Sequence, residues 1–318
     1  MFSFFRKLNS ARLYILNRGG AAVSVVSVDI SGSRPSDSKP KVQFCERVPF
    51  AENTEQAWGE LARKLPLAKN RYLVVLAPSE YQLMQVEAPN VPVPEVKQAV
   101  RWKLKDLLAY PLEQATVDAL DIPTDPHAPG RAHFMYAVAA RNEFIKAYMD
   151  NAEAVGASLE VIDVPELAQR NIASLIEEDG RGMALISFNE DGGLLTFTAN
   201  GELYHARQIE MNSFQMAAAD DEQRLHNYER LVLELQRSLD NFERQFSYVA
   251  ATRLVIAPMK AQAGLEAYLR ENLYIKIESL NLADILDVTA ISGLDDLAMQ
   301  SEYFHALGAA LRDRGVSA

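Results

Sequence analysis

The stretch Leu13-Tyr-Ile-Leu-Asn-Arg-Gly-Gly-Ala-Ala-Val-Ser-Val-Val-Ser-Val-Asp-Ile30 decides the fold class of this chain. Its two runs of largely β-branched residues flank a Gly-Gly pair, which is a hairpin signal. A third strand is predicted at 42–48, so the chain opens as a β-meander. A helix at 54–65, with Thr54 as its N-cap, and a continuous apolar strand at 71–77 follow. Strands followed by a helix and a buried strand are typical of an α/β fold.

A second β-meander is predicted in the other half of the chain. After a helix at 165–178, strands are expected at 181–188, 194–198 and 202–209. Asn200-Gly201, between the last two of these strands, is a strong hairpin signal. Because this meander echoes the first one, we expect the chain to contain two related halves.

The segment between the meanders has a different order of elements. It predicts, in chain order, a strand at 81–88, a helix at 94–108, strands at 115–122 and 133–140, a helix at 142–155 and a strand at 157–164. The order β-α-β-β-α-β is that of a small ferredoxin-like module. We therefore expect a first half at 1–77, to which the chain returns at 300–318, an inserted module at 78–161 and a second half at 162–318.

The longest predicted helix spans 221–247. Its apolar residues follow an a/d spacing over three heptads, at Leu225, Tyr228, Val232, Leu235, Leu239, Phe242 and Phe246. A coiled-coil partner helix is one interpretation of this spacing. We favour a long amphipathic helix that lies on its own domain, because three heptads are few. Strands near 253–257 and 275–279 and a final helix at 303–314 complete the chain.

Composition and charge exclude several classes of function. The 318 residues include 32 Lys and Arg against 43 Asp and Glu, which gives a net charge of −11. Nucleic-acid binding depends on clustered basic residues, so this balance argues against it. Cys45 is the single cysteine, and no secretory signal or membrane-length apolar run is evident, so we expect a cytoplasmic protein. Because an anionic membrane repels an acidic chain, a protein partner would have to hold it at a membrane.

Motifs for metal binding and catalysis are weak throughout the sequence. No set of residues forms a recognisable catalytic triad, and neither G-x-x-x-x-G-K-S/T nor G-x-G-x-x-G is present. His127 and His133 flank a Pro-Gly loop, but no acidic cluster accompanies them. We therefore interpret them as surface residues and expect no metal site.

Two glycine-containing hairpin turns are the strongest candidates for a ligand site. Asn17-Arg-Gly-Gly20 and Asn189-Glu-Asp-Gly-Gly193 each lie between strands at the start of one of the echoed halves. Glycine lets backbone N–H groups approach a phosphate closely. Two β-hairpin turns that face each other across a cleft resemble the way in which the actin/Hsp70/sugar-kinase superfamily holds ATP.

Four segments resemble PilM-type pilus assembly proteins in content and order. They are Val100-Arg-Trp-Lys-Leu-Lys-Asp-Leu-Leu-Ala-Tyr-Pro-Leu-Glu113, Ile162-Asp-Val-Pro-Glu-Leu-Ala168, Leu233-Glu-Leu-Gln-Arg-Ser-Leu-Asp-Asn-Phe-Glu243 and Phe304-His-Ala-Leu-Gly-Ala-Ala-Leu-Arg312. The likeness runs over almost the whole chain. Length and composition are most similar to the MshI-type members found in mannose-sensitive haemagglutinin (MSHA) pilus systems.

This resemblance implies a fold, a location and a partner. The fold would be an actin-like bilobed α/β fold, of the actin/Hsp70/sugar-kinase superfamily, with an inserted ferredoxin-like βαββαβ module. The chain would act at the cytoplasmic face of the inner membrane as a scaffold of type IV pilus assembly. Its partner would be the short cytoplasmic tail of a PilN/MshJ-like inner-membrane protein, together with other pilus assembly components. The cytoplasmic domain of the type II secretion L protein is similar in architecture.

The nucleotide motifs depart from the family pattern at three places. Asn17 and Gly19 stand where the first Asp-x-Gly motif of the family would be, and Ser187-Phe188-Asn189 stands where the second would be. Ala257-Pro258-Met259 replaces a Gly-Gly pair near adenosine, and proline lacks an N–H donor. Any residual nucleotide site would comprise Asn17, Gly19, Gly20, Ser187, Asn189, Gly192 and Gly193.

The lost carboxylates lead to an expectation about activity. Mg²⁺ prefers hard oxygen ligands, and the two motif carboxylates that would supply or order them are absent. We therefore expect a pseudo-ATPase without an ATP or Mg²⁺ cofactor. The alternative is a nucleotide-binding actin-like ATPase of pilus assembly or type II secretion.

The partner tail is expected to bind as an extended peptide in a groove between the first half and the inserted module. Candidate apolar anchors are Trp102, Leu108 and Tyr110, and burial of these side chains in the core of the module is the competing interpretation. Whether the protein forms a homodimer, or an actin-like polymer, stays open from the sequence.

Overall fold

The computed structural model describes residues 12–30, 39–68, 70–125 and 132–312. The strands are β1 (Leu13–Gly19), β2 (Ala22–Asp29), β3 (Lys41–Pro49), β4 (Arg71–Val75), β5 (Tyr81–Glu87), β6 (Ala115–Asp121), β7 (Phe134–Arg141), β8 (Ser158–Asp163), β9 (Gly182–Phe188), β10 (Gly193–Ala199), β11 (Glu202–Ile209), β12 (Ala251–Ile256) and β13 (Lys276–Ser279). The α-helices are α1 (Glu55–Lys64), α2 (Val93–Lys103), α3 (Asn142–Ala154), α4 (Pro165–Ala173), α5 (Ser213–Met216), α6 (Asp221–Gln245), α7 (Gln262–Asn272) and α8 (Leu297–Ala310). His127 and the last residues of the helix predicted at 303–314 lie outside the described residues.

The opening hairpin forms as its sequence predicts. Gly19 pairs with Ala22 across β1 and β2, so Gly20 and Ala21 make a two-residue turn. Gly20 has φ +56°, a left-handed conformation that glycine adopts without steric cost. Downstream, the Thr54 hydroxyl accepts the N–H of Ala57 and caps α1, as expected.

The two halves share one sheet topology, which confirms the predicted echo. The first sheet has the strand order β3-β2-β1-β4-β8, and the second has the order β11-β10-β9-β12-β13. In each sheet an antiparallel three-strand meander is followed by two parallel strands. Asn200 and Gly201 both have positive φ, as the tight turn between β10 and β11 requires.

Helices α4 and α8 pack against each other between the two sheets. Helix α8 lies on β1 and β2, while α4 lies on β9, β10 and β11. One core cluster includes side chains from both sheets and both helices, among them Ile15, Ile172, Leu185 and Leu307. The last described helix therefore returns to the first sheet and joins the two halves through an apolar core.

The segment after β4 carries a smaller sheet of three antiparallel strands in the order β5-β7-β6. The prediction of a complete βαββαβ module is wrong in its last strand. That strand, β8, pairs in parallel with β4 and extends the first sheet. Strand β4 is buried and would otherwise present an unpaired edge, so pairing with β8 satisfies its backbone groups.

Helix α2 ends at Lys103, five residues before the predicted end at 108. The Leu104 N–H bonds to the carbonyls of Arg101 and Trp102, which tightens and closes the last turn. Leu104 is fully buried in the core of the small sheet with Val100 and Leu112. Helix α2 therefore ends where Leu104 packs into this core, and Pro111 does not determine its end.

The long helix α6 lies on its own half, as we favoured from its sequence. It buries Tyr228, Leu231, Leu235 and Phe242 in the core of the second half. Leu233 on its outer face is 54% exposed. None of the helices in the described part of the chain is both long enough and apolar enough to cross a membrane.

Candidate functional site

The two predicted hairpin turns lie opposite each other and are in contact. The turn between β1 and β2 presents the backbone N–H of Gly20, which donates to both carboxylate oxygens of Asp191 at 3.4 Å. Asp191 belongs to the turn between β9 and β10, where the amide oxygen of Asn189 accepts the N–H groups of Asp191 and Gly192 at 2.9 and 3.0 Å. Local hydrogen bonds therefore shape the second turn and place its carboxylate on the first.

An arginine from the first half joins the second turn to the closing helix. The Arg47 guanidinium, on β3, lies 2.5 Å from a carboxylate oxygen of Glu190 and 3.3 Å from one of Glu302 on α8. The Ser24 hydroxyl donates to the backbone carbonyl of Glu302 at 2.7 Å. The mouth of the cleft is thus spanned by charged and polar contacts between elements far apart in the chain.

A cavity of about 280 Å³ adjoins these contacts, and Ser24, Arg47, Glu190 and Glu302 are among the residues that line it. This volume lies just below the roughly 300–1,000 Å³ typical of ligand pockets. Of the seven nucleotide-site residues expected from the sequence, Asn17, Gly19 and Asn189 line the cavity, and Gly20 lies at the contact between the turns. Phe214, which is largely exposed, and Lys260 also line the cavity and were not foreseen from the sequence.

Ser187 does not face the cavity, contrary to the sequence-based expectation. Its hydroxyl donates to the Gln169 amide oxygen at 2.6 Å and lies 3.2 Å from Nε2 of His305. Burial lowers the pKa of His305 to about 4, so the imidazole is neutral near pH 7. Because the single Ser187 proton points to Gln169, we assign the proton of His305 to Nε2, which donates to Ser187. Ser187 is therefore part of a buried structural network.

Gly192 and Gly193 serve the packing of the second turn and do not line the cavity. A Cβ added to Gly193 would lie 2.9 Å from the ring of Phe188 and 3.1 Å from Ile209. The Gly192 carbonyl accepts the N–H of Asn189 at 2.8 Å. Of the site residues predicted at the second turn, Asn189 is the one that lines the cavity.

The polar groups at the mouth of the cleft are engaged with one another. Among the described residues no three or more His, Cys, Asp or Glu side chains are grouped so that they could hold a metal ion. The carboxylates at the cleft mouth are already engaged, since Glu190 and Glu302 contact Arg47 and Asp191 accepts from Gly20. The N–H that a phosphate would need at the first turn is thus directed at a carboxylate.

A second candidate site is a groove between the small sheet and the second half, called here the β5–β11 groove. It has a volume of about 410 Å³ and is lined by Tyr81, Leu83, Met84, Leu107, Glu166 and Gln208, among others. At its floor the Tyr81 hydroxyl donates to Glu166 at 2.6 Å, and the Gln208 side chain donates to the same carboxylate at 3.2 Å. Burial raises the pKa of Glu166.

Both walls of the β5–β11 groove are edge strands of their sheets. The N–H of Ala206 on β11 donates to the Tyr136 hydroxyl at 2.9 Å, so this group points away from β10. Alternation along an antiparallel strand directs the backbone groups of Gln208 the same way. The groove therefore presents main-chain donors and acceptors together with apolar side chains.

The three predicted partner anchors lie outside this groove. Trp102 is 62% exposed, Leu108 packs partly against the core of the small sheet, and the Arg141 guanidinium lies 4.2 Å from the ring centroid of Tyr110. Their neighbour Leu107 does line the groove. The groove also lies between the small sheet and the second half, whereas the sequence led us to expect one beside the first half.

Comparison with known proteins supports the fold directly. No protein-family model matches the chain, and no curated protein is significantly similar in sequence. A chain of the structure described as the PilM-PilN type IV pilus biogenesis complex is similar over 95% of this chain and 98% of its own length, with a TM-score of 0.72 and 18% identity. A Bacteroides thetaiotaomicron protein, described as having an actin-like ATPase fold and unknown function, matches over 92% of this chain and 98% of its own, with a TM-score of 0.55 and 9% identity. The chain has an actin-like bilobed α/β fold, as its sequence predicts.

Proposed function

We propose that the protein is a PilM-like scaffold of type IV pilus assembly that captures the cytoplasmic tail of a PilN-like inner-membrane protein. The supporting observation is the near-full-length structural similarity to a chain of the PilM-PilN complex, a protein assembly of pilus biogenesis. The four sequence segments that resemble PilM-type proteins support the same proposal. Within that family we propose the MSHA branch, with a MshJ-like partner.

The β5–β11 groove is the proposed docking site for the tail. An extended peptide can add to a strand edge through main-chain hydrogen bonds, while alternate side chains enter pockets. Here the edge of β11 offers the backbone of Gln208, and Leu83, Met84 and Leu107 offer apolar contact. Because these apolar side chains line the groove and Arg207 beside them is already paired with Glu234, we propose an apolar tail segment as the occupant.

A peptide-binding assay tests both the partner and the groove. A fluorescently labelled N-terminal tail of the PilN-like protein should bind the full chain, and Leu107→Glu should weaken that binding at least tenfold. Trp102→Glu is the matched control, because it places the same charge on an equally exposed residue outside the groove. Absence of tail binding by the wild-type chain would contradict the partner assignment.

Two further variants test the mode of binding. Gln208→Pro removes an N–H donor from the strand edge, whereas Gln208→Ala removes only the side chain. We expect the proline variant to bind the tail more weakly than the alanine variant. Loss of binding in Trp102→Glu with full binding in Leu107→Glu would move the tail from the groove to the outer face of α2.

We further propose that the chain is a pseudo-ATPase. This is supported by the contact between the two turns and by the engagement of the nearby carboxylates. The rival function is an active actin-like ATPase of pilus assembly or type II secretion. Calorimetric titration with Mg-ATP distinguishes them, because micromolar binding and measurable turnover belong to the ATPase alone.

Location and assembly state complete the proposal. We propose that the protein is cytoplasmic and held at the inner membrane by its partner. The net charge of −11 supports this, since anionic lipid repels such a chain. Vesicle flotation should therefore recover the protein only when the partner tail is anchored in the vesicles. Sedimentation velocity should show monomers or dimers, and filaments would instead indicate an actin-like polymer.

A further inference from the structure

The mouth of the cleft is occupied by the protein's own carboxylates. Asp191 accepts the N–H of Gly20 through both oxygens, and Glu190 contacts Arg47. A Cβ added at Gly20 would lie 3.2 Å from the carboxyl carbon of Glu190 and closer still to one of its oxygens. The Glu190 carboxylate therefore lies directly against Gly20, in the space that a side chain at this position would need.

A carboxylate and a phosphate form the same kinds of hydrogen bond and ion pair with a protein. Both are oxyanions that accept hydrogen bonds from backbone N–H groups at turns and pair with guanidinium groups. In this chain the N–H of Gly20 and the guanidinium of Arg47 come from the first half, and the anions that they contact come from the second turn. The acceptor that a nucleotide would supply is thus already present in the polypeptide.

We propose that Glu190 and Asp191 are a built-in anion that holds the cleft closed without ligand, with Arg47 as its clamp. The consequence is a scaffold whose two halves keep a fixed relative position, independent of the cellular nucleotide level. The inference rests on the contacts alone and holds whether or not the β5–β11 groove binds a tail.

The charges at the mouth decide which variant opens it. Arg47 faces Glu190 and Glu302, and Asp191 lies on the same turn as Glu190. Removal of Arg47 leaves three carboxylates at one place without their guanidinium partner, and like charges repel. Both Arg47 and Glu190 are about one-third exposed, so added salt should weaken the clamp in the wild-type chain.

The test measures the cleft directly in the full-length protein. Arg47→Ala should increase the radius of gyration in small-angle X-ray scattering and accelerate hydrogen exchange at the Gly20 turn at least tenfold. Arg47→Lys should retain most of the wild-type protection, because it keeps the charge. Lys146→Ala, which removes an exposed ion pair with Asp150 on α3, is the control and should change neither reading. Wild-type scattering and exchange in Arg47→Ala would overturn the proposal.

A binding measurement tests whether the two carboxylates take the place of a phosphate. Inorganic tripolyphosphate should bind the Glu190→Ala/Asp191→Ala variant at least tenfold more tightly than the wild-type chain, because the variant frees the N–H of Gly20 and leaves the Arg47 guanidinium paired with Glu302 alone. Equal affinity in the two proteins would overturn the proposal. Because neither probe involves the partner tail, this result is separate from the peptide-binding assay.

Discussion

The contact between α4 and α8 leads to a sharp prediction about Gly308. A methyl group added at Gly308 would lie 2.8 Å from the carbonyl carbon of Ala168 and closer still to its oxygen. The Gly308 carbonyl also accepts a hydrogen bond from the Asn171 side chain at 3.0 Å. The obstacle is backbone, which cannot rotate away as a side chain can, so the two helices would have to separate.

Two opposing effects set the size of the change in Gly308→Ala. Alanine gains about 1 kcal/mol over glycine in a helix interior. Overpacking of a close contact costs about 1–3 kcal/mol, and an obstructing backbone places this site at or above the upper end. We therefore expect Gly308→Ala to lower the free energy of unfolding by about 2 kcal/mol, or the melting temperature by about 3 °C.

Gly59 on α1 is the matched control. A Cβ added there meets nothing within 4 Å, so Gly59→Ala gains helix propensity alone. We expect it to raise the free energy of unfolding by up to about 1 kcal/mol. Urea denaturation followed by circular dichroism measures both variants. Our account of the helix crossing would be wrong if Gly308→Ala proved as stable as Gly59→Ala.

Three further predictions concern the core, its buried histidine and the cysteine. Phe242→Ala removes a ring whose centroid lies 4.4 Å from that of the stacked Phe197 ring, and it should lower the free energy of unfolding by about 3–5 kcal/mol. Leu233→Ala, on the exposed face of the same helix, should change it by less than about 0.5 kcal/mol, and urea denaturation measures both variants. Burial lowers the pKa of His305 to about 4. Between about pH 6.5 and 4 the imidazole is therefore protonated in the unfolded chain and neutral in the folded chain, so the free energy of unfolding falls as the pH drops through this range. Between pH 7.5 and 5 this loss should be roughly 2 kcal/mol, absent from His305→Gln and unchanged in His226→Gln; equal pH profiles in all three proteins would contradict it. Partial burial raises the pKa of Cys45 to about 12, so its alkylation at pH 8 should be on the order of a thousandfold slower in the folded chain than in urea, and similar rates would refute this shielding of the thiol.

Local patterns in the sequence predicted the local structure well. The Gly-Gly and Asn200-Gly201 hairpins and the Thr54 cap were confirmed because each depends on residues adjacent in the chain. The start of α8 was predicted six residues late. The signal was present in Asp296, whose side chain accepts the N–H groups of Ala298 and Met299.

Predictions that depended on distant pairing were less successful. Strand β8 was predicted to complete the module, but it pairs in parallel with β4, where it satisfies the backbone groups of that strand edge. Ser187 lies one residue from a turn that reaches the cleft, yet Gln169 and His305 enclose it. Neither outcome can be derived from spacing along the chain.

The sequence by itself determined the repeated sheet, the long amphipathic helix and the positions of both turns, because periodicity and turn chemistry act over a few residues. It also indicated the resemblance to PilM-type proteins. Only the tertiary structure placed Asp191 on Gly20, Glu190 on Arg47 and Ala168 against Gly308. These contacts join residues more than a hundred positions apart, and their distances are set by how the two sheets pack on α4 and α8. Packing of the two halves therefore decided whether the paired turns form an open ligand site or close on each other.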